Sequence, residues 1–155
     1  MNAGGKFDFI KCILLAELLQ YHGEIYALQS EPGKSYNYYT KALSLFIEAL
    51  LSNEKARVED YTPAIDSLID ELDKYELSAH IKFKIFLYYE RIGKFSNAED
   101  LLFELIDMEE PGVIQEGISF YERLLGKTDE ELVEGNLPRD EVEDSLSELQ
   151  KMVSD

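Results

Sequence analysis

The chain has no tryptophan, one cysteine, two histidines and four prolines in 155 residues. Its lone cysteine, Cys12, can close no intrachain disulfide, and among apolar neighbours it reads as a small buried hydrophobe. His22 and His80 fall on separate helical stretches. Glu76 lies one turn before His80, but nothing in the sequence completes a metal set around them. Phosphate-binding glycine loops, a Gly-x-Ser-x-Gly elbow, zinc-protease spacing and calcium-loop spacing are all missing. Adjacent carboxylates such as Glu130 and Glu131 suit the start of a helix, where the dipole favours negative charge. The chain is therefore read as no enzyme, with no catalytic residues, no metal and no cofactor.

Basic residues are also scarce: 15 Lys and Arg stand against 32 Asp and Glu, a net charge of −17. The imbalance is one-sided. Residues 1–58 carry six acidic and six basic side chains, and residues 59–155 carry 26 and nine. Such a field repels phosphate backbones and anionic lipid, so neither nucleic acid nor a membrane is expected as a partner. The acidic excess serves solubility, or it draws a basic protein or peptide partner. No apolar run approaches the ~20 residues of a membrane span. The start, Met1 to Lys6, lacks the basic-then-apolar pattern of a secretory signal, and a cytoplasmic location is expected.

What is present is helix. With 45% hydrophobic and 30% charged residues, a folded domain follows. Apolar residues recur at helical spacing over 7–28, 35–53, 61–75, 78–92, 96–108, 113–125 and 138–152. The first stretch is apolar over more than one stripe, which predicts burial on more than one side. Pro32-Gly33, Gly93, Pro111-Gly112 and Gly126 mark the breaks. Ser35 and Thr62 read as helix starts. Ser96 with Glu99, and Thr128 with Glu131, have capping-box spacing, the second opening a short helix that ends at Gly135-Asn136. Three tyrosines, Tyr36, Tyr38 and Tyr39, cannot all face the core, so one or two should be exposed or line a groove.

One spacing organises the rest. Tyr61, Thr62, Ala64, Leu68 and Leu72 reappear 34 residues later as Phe95, Ser96, Ala98, Leu102 and Ile106. Thirty-four residues is the period of tetratricopeptide repeats. Tyr89, Gly93, Phe95, Ala98 and Leu102 match that pattern in type, and Gly23, Tyr26, Tyr39 and Ala42 match it earlier in the chain. Small residues let paired helices cross closely and large ones fill the space around them. The stretch 61–75 is left without a first helix of its own, so the repeats are degenerate.

On these residues the chain resembles the tetratricopeptide-like proteins. The stretch from Tyr88 to Leu105, with Gly117 to Leu132 and Leu137 to Val142, resembles a bacterial family of uncharacterised proteins of that type. There Gly-Gly-Leu is expected where this chain has Gly135-Asn136-Leu137. The resemblance implies a scaffold that holds a protein or peptide against the first helix of each pair. That face maps onto Tyr21, Glu24, His80, Phe83, Lys84, Leu87 and Arg91. The Lys and Asn clamp of chaperone adaptors is missing, because the first helix offers Glu17 and Glu24 instead.

The expected fold class is thus all-α: antiparallel helical hairpins stacked as a degenerate tetratricopeptide-like right-handed superhelix of about six to seven helices. One domain spans 1–155, with 1–6 flexible and 127–155 an acidic extension packing as a capping helix. The expected function is a non-enzymatic interaction scaffold. The alternative is a structural homo-oligomer, a homodimer through the apolar helix 7–28.

Overall fold

The computed structural model describes residues 3–155, with side chains from Asp8 onward. Of the flexible start expected over 1–6, residues 1–2 lie outside the described residues, and α1 begins at Ala3. Among the described residues the chain is all-α, with no strand. Eight α-helices follow in order: α1 (Ala3–Leu28), α2 (Pro32–Ser52), α3 (Thr62–Leu72), α4 (Ala79–Arg91), α5 (Phe95–Asp107), α6 (Val113–Leu125), α7 (Asp129–Glu134) and α8 (Arg139–Ser154). One turn of 3-10 helix, Val58–Asp60, precedes α3. Where the sequence predicts one domain, contacts group the chain into two compact units, 1–84 and 85–155.

In the first unit α1 and α2 form a hairpin. Their backbones approach so closely that a Cβ on Gly23 would lie 2.6 Å from the Tyr39 ring. Tyr39, Ala42, Leu43, Phe46, Ile47 and Leu50 fill the α2 core face, and Ile65, Leu68 and Leu72 of α3 join them. Each large side chain fully removed from water contributes about 1.5–3 kcal/mol. The stretch that the repeat leaves unpaired, α3, thus takes α2 as its neighbour. Only one side of α1 is covered. Ile13, Ala16 and Gly23 are buried, while Ile10, Leu14, Leu18, Tyr21, Ile25 and Leu28 are exposed. Cys12 is half-buried, not the buried hydrophobe that the sequence predicts.

The tyrosines of α2 divide as their spacing requires. Tyr39 is buried, and burial raises its hydroxyl pKa. Tyr38 stacks on His22 and on Tyr26, each at 5.3 Å between ring centres, and Tyr36 meets Tyr75 at 5.0 Å. Tyr36 and Tyr38 are half-buried and pack against other rings.

In the second unit α6 is the centre. Phe120, Tyr121 and Leu124 are fully buried, and Phe86 meets Phe120 edge-on at 5.1 Å. A Cβ on Gly117 would sit 2.6 Å from Leu149 and 3.2 Å from Leu102, so this glycine lets α8 and α5 close on α6. Tyr121 donates a 2.6 Å hydrogen bond to the Glu99 carboxylate, and Ser145 a longer one at 3.4 Å. Arg123 clasps Glu90 through two parallel bonds of 2.7 and 2.8 Å.

Helix ends explain most of the chain's punctuation. Gly93, at φ +80°, ends α4 in a Schellman motif: Lys94 N–H donates to the Tyr89 carbonyl at 2.9 Å and Gly93 N–H to that of Glu90 at 3.2 Å. The same bond pair recurs at Ser30, Glu109 and Asn136, each with positive φ. Asn136 is thus the residue that carries the left-handed turn, a role asparagine fills nearly as well as glycine. Glu109 fills it less well. Glu109→Gly is expected to raise stability by about 1 kcal/mol, read from chemical denaturation, because a left-handed L-residue costs about 1–2 kcal/mol.

Three expected starts move. Pro32 opens α2 as its first residue, and Ser35 lies buried inside the helix. The cap of α3 is Tyr61, while the Thr62 hydroxyl donates to the Val58 carbonyl at 2.9 Å. The cap of α5 is Lys94, and no Ser96–Glu99 box forms: Ser96 N–H donates to the Gly135 carbonyl, and Glu99 turns to Tyr121. The Thr128–Glu131 box does form, with bonds of 3.2 and 2.8 Å. The Thr128 backbone N–H holds the Glu131 carboxyl below the usual carboxylate range.

Candidate functional site

The first unit carries an open groove of about 480 Å³ bounded by α1, α2 and the start of α4. Leu15 and Leu19 of α1, Leu45 of α2 and Ile81 of α4 make it largely apolar. Lys41, His80 and Lys84 border it, with the hydroxyls of Thr40 and Ser44. Helical period explains the set: Leu15 and Leu19 share one flank of α1, Lys41 and Leu45 one flank of α2, and His80 and Lys84 one flank of α4. Lys84 is mostly buried and is ion-paired with Glu48 across the groove wall. Lys41 is exposed. A basic border on an apolar floor is unusual in a chain of net charge −17, and it sits in the electrically balanced part, residues 1–58, and the start of α4.

Of the residues expected to face a partner, His80 and Lys84 line this groove. Phe83, on the same helix, is half-buried. Tyr21 and Glu24 are exposed on another face of α1 and are not among the lining residues. Leu87 and Arg91 belong to the second unit, both half-buried. Sequence reasoning missed Leu15, Leu19, Thr40, Lys41, Ser44, Leu45 and Ile81 as lining residues. Leu15 and Leu19 were legible only as part of an all-round apolar helix, with nothing to say which flank stays open.

The residues expected to hold the repeats together are mostly placed at packing points. Gly23 meets Tyr39, and Ala42, Phe95, Ala98 and Leu102 are buried. Tyr26, Ala64 and Tyr89 are half-buried, and Tyr61, half-buried too, meets Phe9 edge-on at 5.7 Å.

The second unit has a polar hollow of about 420 Å³ beside the α4–α5 turn. Lys94, Lys127 and Arg91 face Glu90, Glu131 and Glu134 there. Two of these acids are committed to structure, Glu90 by Arg123 and Glu131 by its capping box. Among the described residues no group of three or more His, Cys, Asp or Glu could hold a metal, and no helix is long and apolar enough to cross a membrane.

Neither the curated proteins nor the solved structures contain a match to this chain. A family model does match, and it runs along residues 8–154, from the first turns of α1 to the last residue of α8. The chain therefore belongs to DUF6483, a family of unknown function.

Proposed function

We propose that this protein is a cytoplasmic, non-enzymatic scaffold of tetratricopeptide-like build whose first-unit groove holds an amphipathic segment of a protein partner. The observation that carries this reading is the groove itself: an apolar floor from three helices with Lys41 and His80 at its border. Helix-in-groove recognition needs an apolar channel for anchors spaced three and four residues apart, with charges at the border to set orientation. The partner segment would place apolar side chains on Leu15, Leu19 and Leu45 and a carboxylate beside Lys41. Basic flanks on the same partner would meet the acidic residues 59–155. The tetratricopeptide-like reading is supported by the close crossing at Gly23 and by the echo: Leu68 and Leu102, 34 residues apart, are both fully buried.

The test is capture of a partner with the wild-type chain, then repetition with Leu15→Asp and Lys41→Glu, both at exposed positions. Each is expected to weaken binding by about tenfold or more, since either removes an anchor surface or reverses a border charge. Binding through Lys41 should also weaken as salt rises. Partners held equally by both variants would sink the groove.

A further inference from the structure

Seven of the twelve exposed large hydrophobic side chains among the described residues sit on α1, which makes this helix the place to look for a covering partner. Six of them form one stripe: Ile10, Leu14, Leu18, Tyr21, Ile25 and Leu28, each 46–86% exposed. At 100° per residue they fall within an arc of about 80°, on the side opposite Ile13, Ala16 and Gly23, and run for about 27 Å. Their steps of three and four residues are those of a helix-to-helix seam. Leu15 and Leu19 lie on a different flank, so the stripe and the groove are separate surfaces.

We propose that this stripe is a self-association surface, on which two copies of the chain pack α1 against α1 across a two-fold axis. Three observations select a second copy as the occupant. The first is area. At about 150 Å² per large side chain, the stripe exposes roughly 500 Å². A standard interface buries about 800 Å² per partner, and in homodimers about 65% of it is apolar, which is about 520 Å². The stripe supplies that apolar share, and its polar flanks supply the rest.

The second is charge. Residues 59–155 hold the whole −17 of the chain, and residues 1–58 are balanced. Two copies repel each other over the acidic region and can meet only at the balanced one. A basic partner, in contrast, is drawn to residues 59–155. The third is symmetry. In a two-fold pair every stripe residue is used twice, so one apolar face is satisfied without a second kind of surface. Few charges flank the stripe, namely Lys11, Glu17 and Glu24, of both signs, which keeps the desolvation cost low.

The experiment is sedimentation equilibrium of the full chain at micromolar concentration, in about 0.05 M and about 0.5 M NaCl. The expected species has twice the 17.8 kDa chain mass, and it tightens with salt because screening relieves repulsion between two acidic bodies. Groove binding weakens with salt, so the two proposals fail separately. Leu18→Glu is expected to weaken the dimer by at least about 100-fold, because each copy then buries a carboxylate in an apolar seam. Circular dichroism confirms that the helix survives. Should it not, Leu28→Ser, at an 86% exposed position on the last turn, takes its place with an expected loss of about tenfold. Phe103→Glu, exposed on α5, should leave the dimer intact. A monomer at both salt concentrations, a dimer indifferent to the α1 variants, or a dimer broken by Phe103→Glu overturns the proposal.

Discussion

Gly135→Ala is expected to lower stability by about 3 kcal/mol, a large effect for one methyl group. The backbone angle is not the reason, for Gly135 has φ −78°, which any residue adopts. Space is the reason. A Cβ at this position would run into the Phe95 ring and come within 2.7 Å of the Gly93 carbonyl oxygen. A ring can tilt, but the carbonyl belongs to the Schellman turn that ends α4 and cannot move without breaking it. The displaced backbone would also release the 3.0 Å bond from Ser96 N–H to the Gly135 carbonyl. Overpacking costs about 1–3 kcal/mol and a lost backbone bond about 1 kcal/mol. Gly33→Ala is the control, since nothing lies within 4 Å of its Cβ position; in a helix it should stabilise by about 0.5–1 kcal/mol. Urea titrations of the two variants decide the matter, and a Gly135→Ala midpoint equal to wild type would refute the packing argument.

The same contact explains why two distant sequence motifs occur together. The run through Tyr89, Gly93, Phe95 and Ala98 looks like a repeat signature, and Gly135-Asn136-Leu137 looks like the end of a separate tail. In the fold the turn ending α7 rests on the turn between α4 and α5. Each motif needs its glycine, one for a positive φ and the other for a close approach.

Helices were legible because apolar period and turn residues are local properties, and every long stretch read from the sequence is a helix in the structure. Helix ends were legible only where a local signal had no tertiary competitor. Thr128 and Glu131 form their box, whereas Ser96 and Glu99, with the same spacing, are drawn to Gly135 and Tyr121. Arg139 shows the same limit. Its guanidinium donates to the carbonyls of Leu125 and Lys127 at 3.1 and 2.6 Å and to Asp129 at 2.5 Å, pinning the α6–α7 turn. Nothing in the spacing of the sequence announces that role. Most of the groove escaped for a related reason. Period says which residues of α1 share a face, but a helix apolar on several faces does not say which of them its own chain covers.

Tyr121→Phe is expected to destabilise the chain by about 1.5–3 kcal/mol near pH 7, the usual worth of a buried bond to a charged group. Tyr121 is fully buried, and its hydroxyl pKa is pushed up first by burial and then by Glu99, so it stays protonated as the donor. Burial also raises the Glu99 carboxyl, a shift that the bonds from Tyr121 and Ser145 reduce. A carboxyl raised in the folded state holds its proton more tightly than in the unfolded chain. Its contribution is therefore complete below the unfolded pKa and is lost as pH rises through the folded pKa. Removing the Tyr121 donor raises the folded pKa further, so the cost of Tyr121→Phe should grow as pH climbs through that range and shrink below it. Glu99→Leu is expected to cost about 1–3 kcal/mol by leaving the buried Tyr121 hydroxyl without its acceptor. The double variant Glu99→Leu with Tyr121→Phe removes both members of the short bond and leaves only the half-buried Ser145 hydroxyl to find a new partner, so it should lie within about 1 kcal/mol of wild type, a coupling of about 2 kcal/mol or more. Denaturant titrations at about pH 4 and about pH 7 measure the whole cycle. Additive single effects, or a Tyr121→Phe cost indifferent to pH, would show that the pair packs side by side without depending on the charge between them.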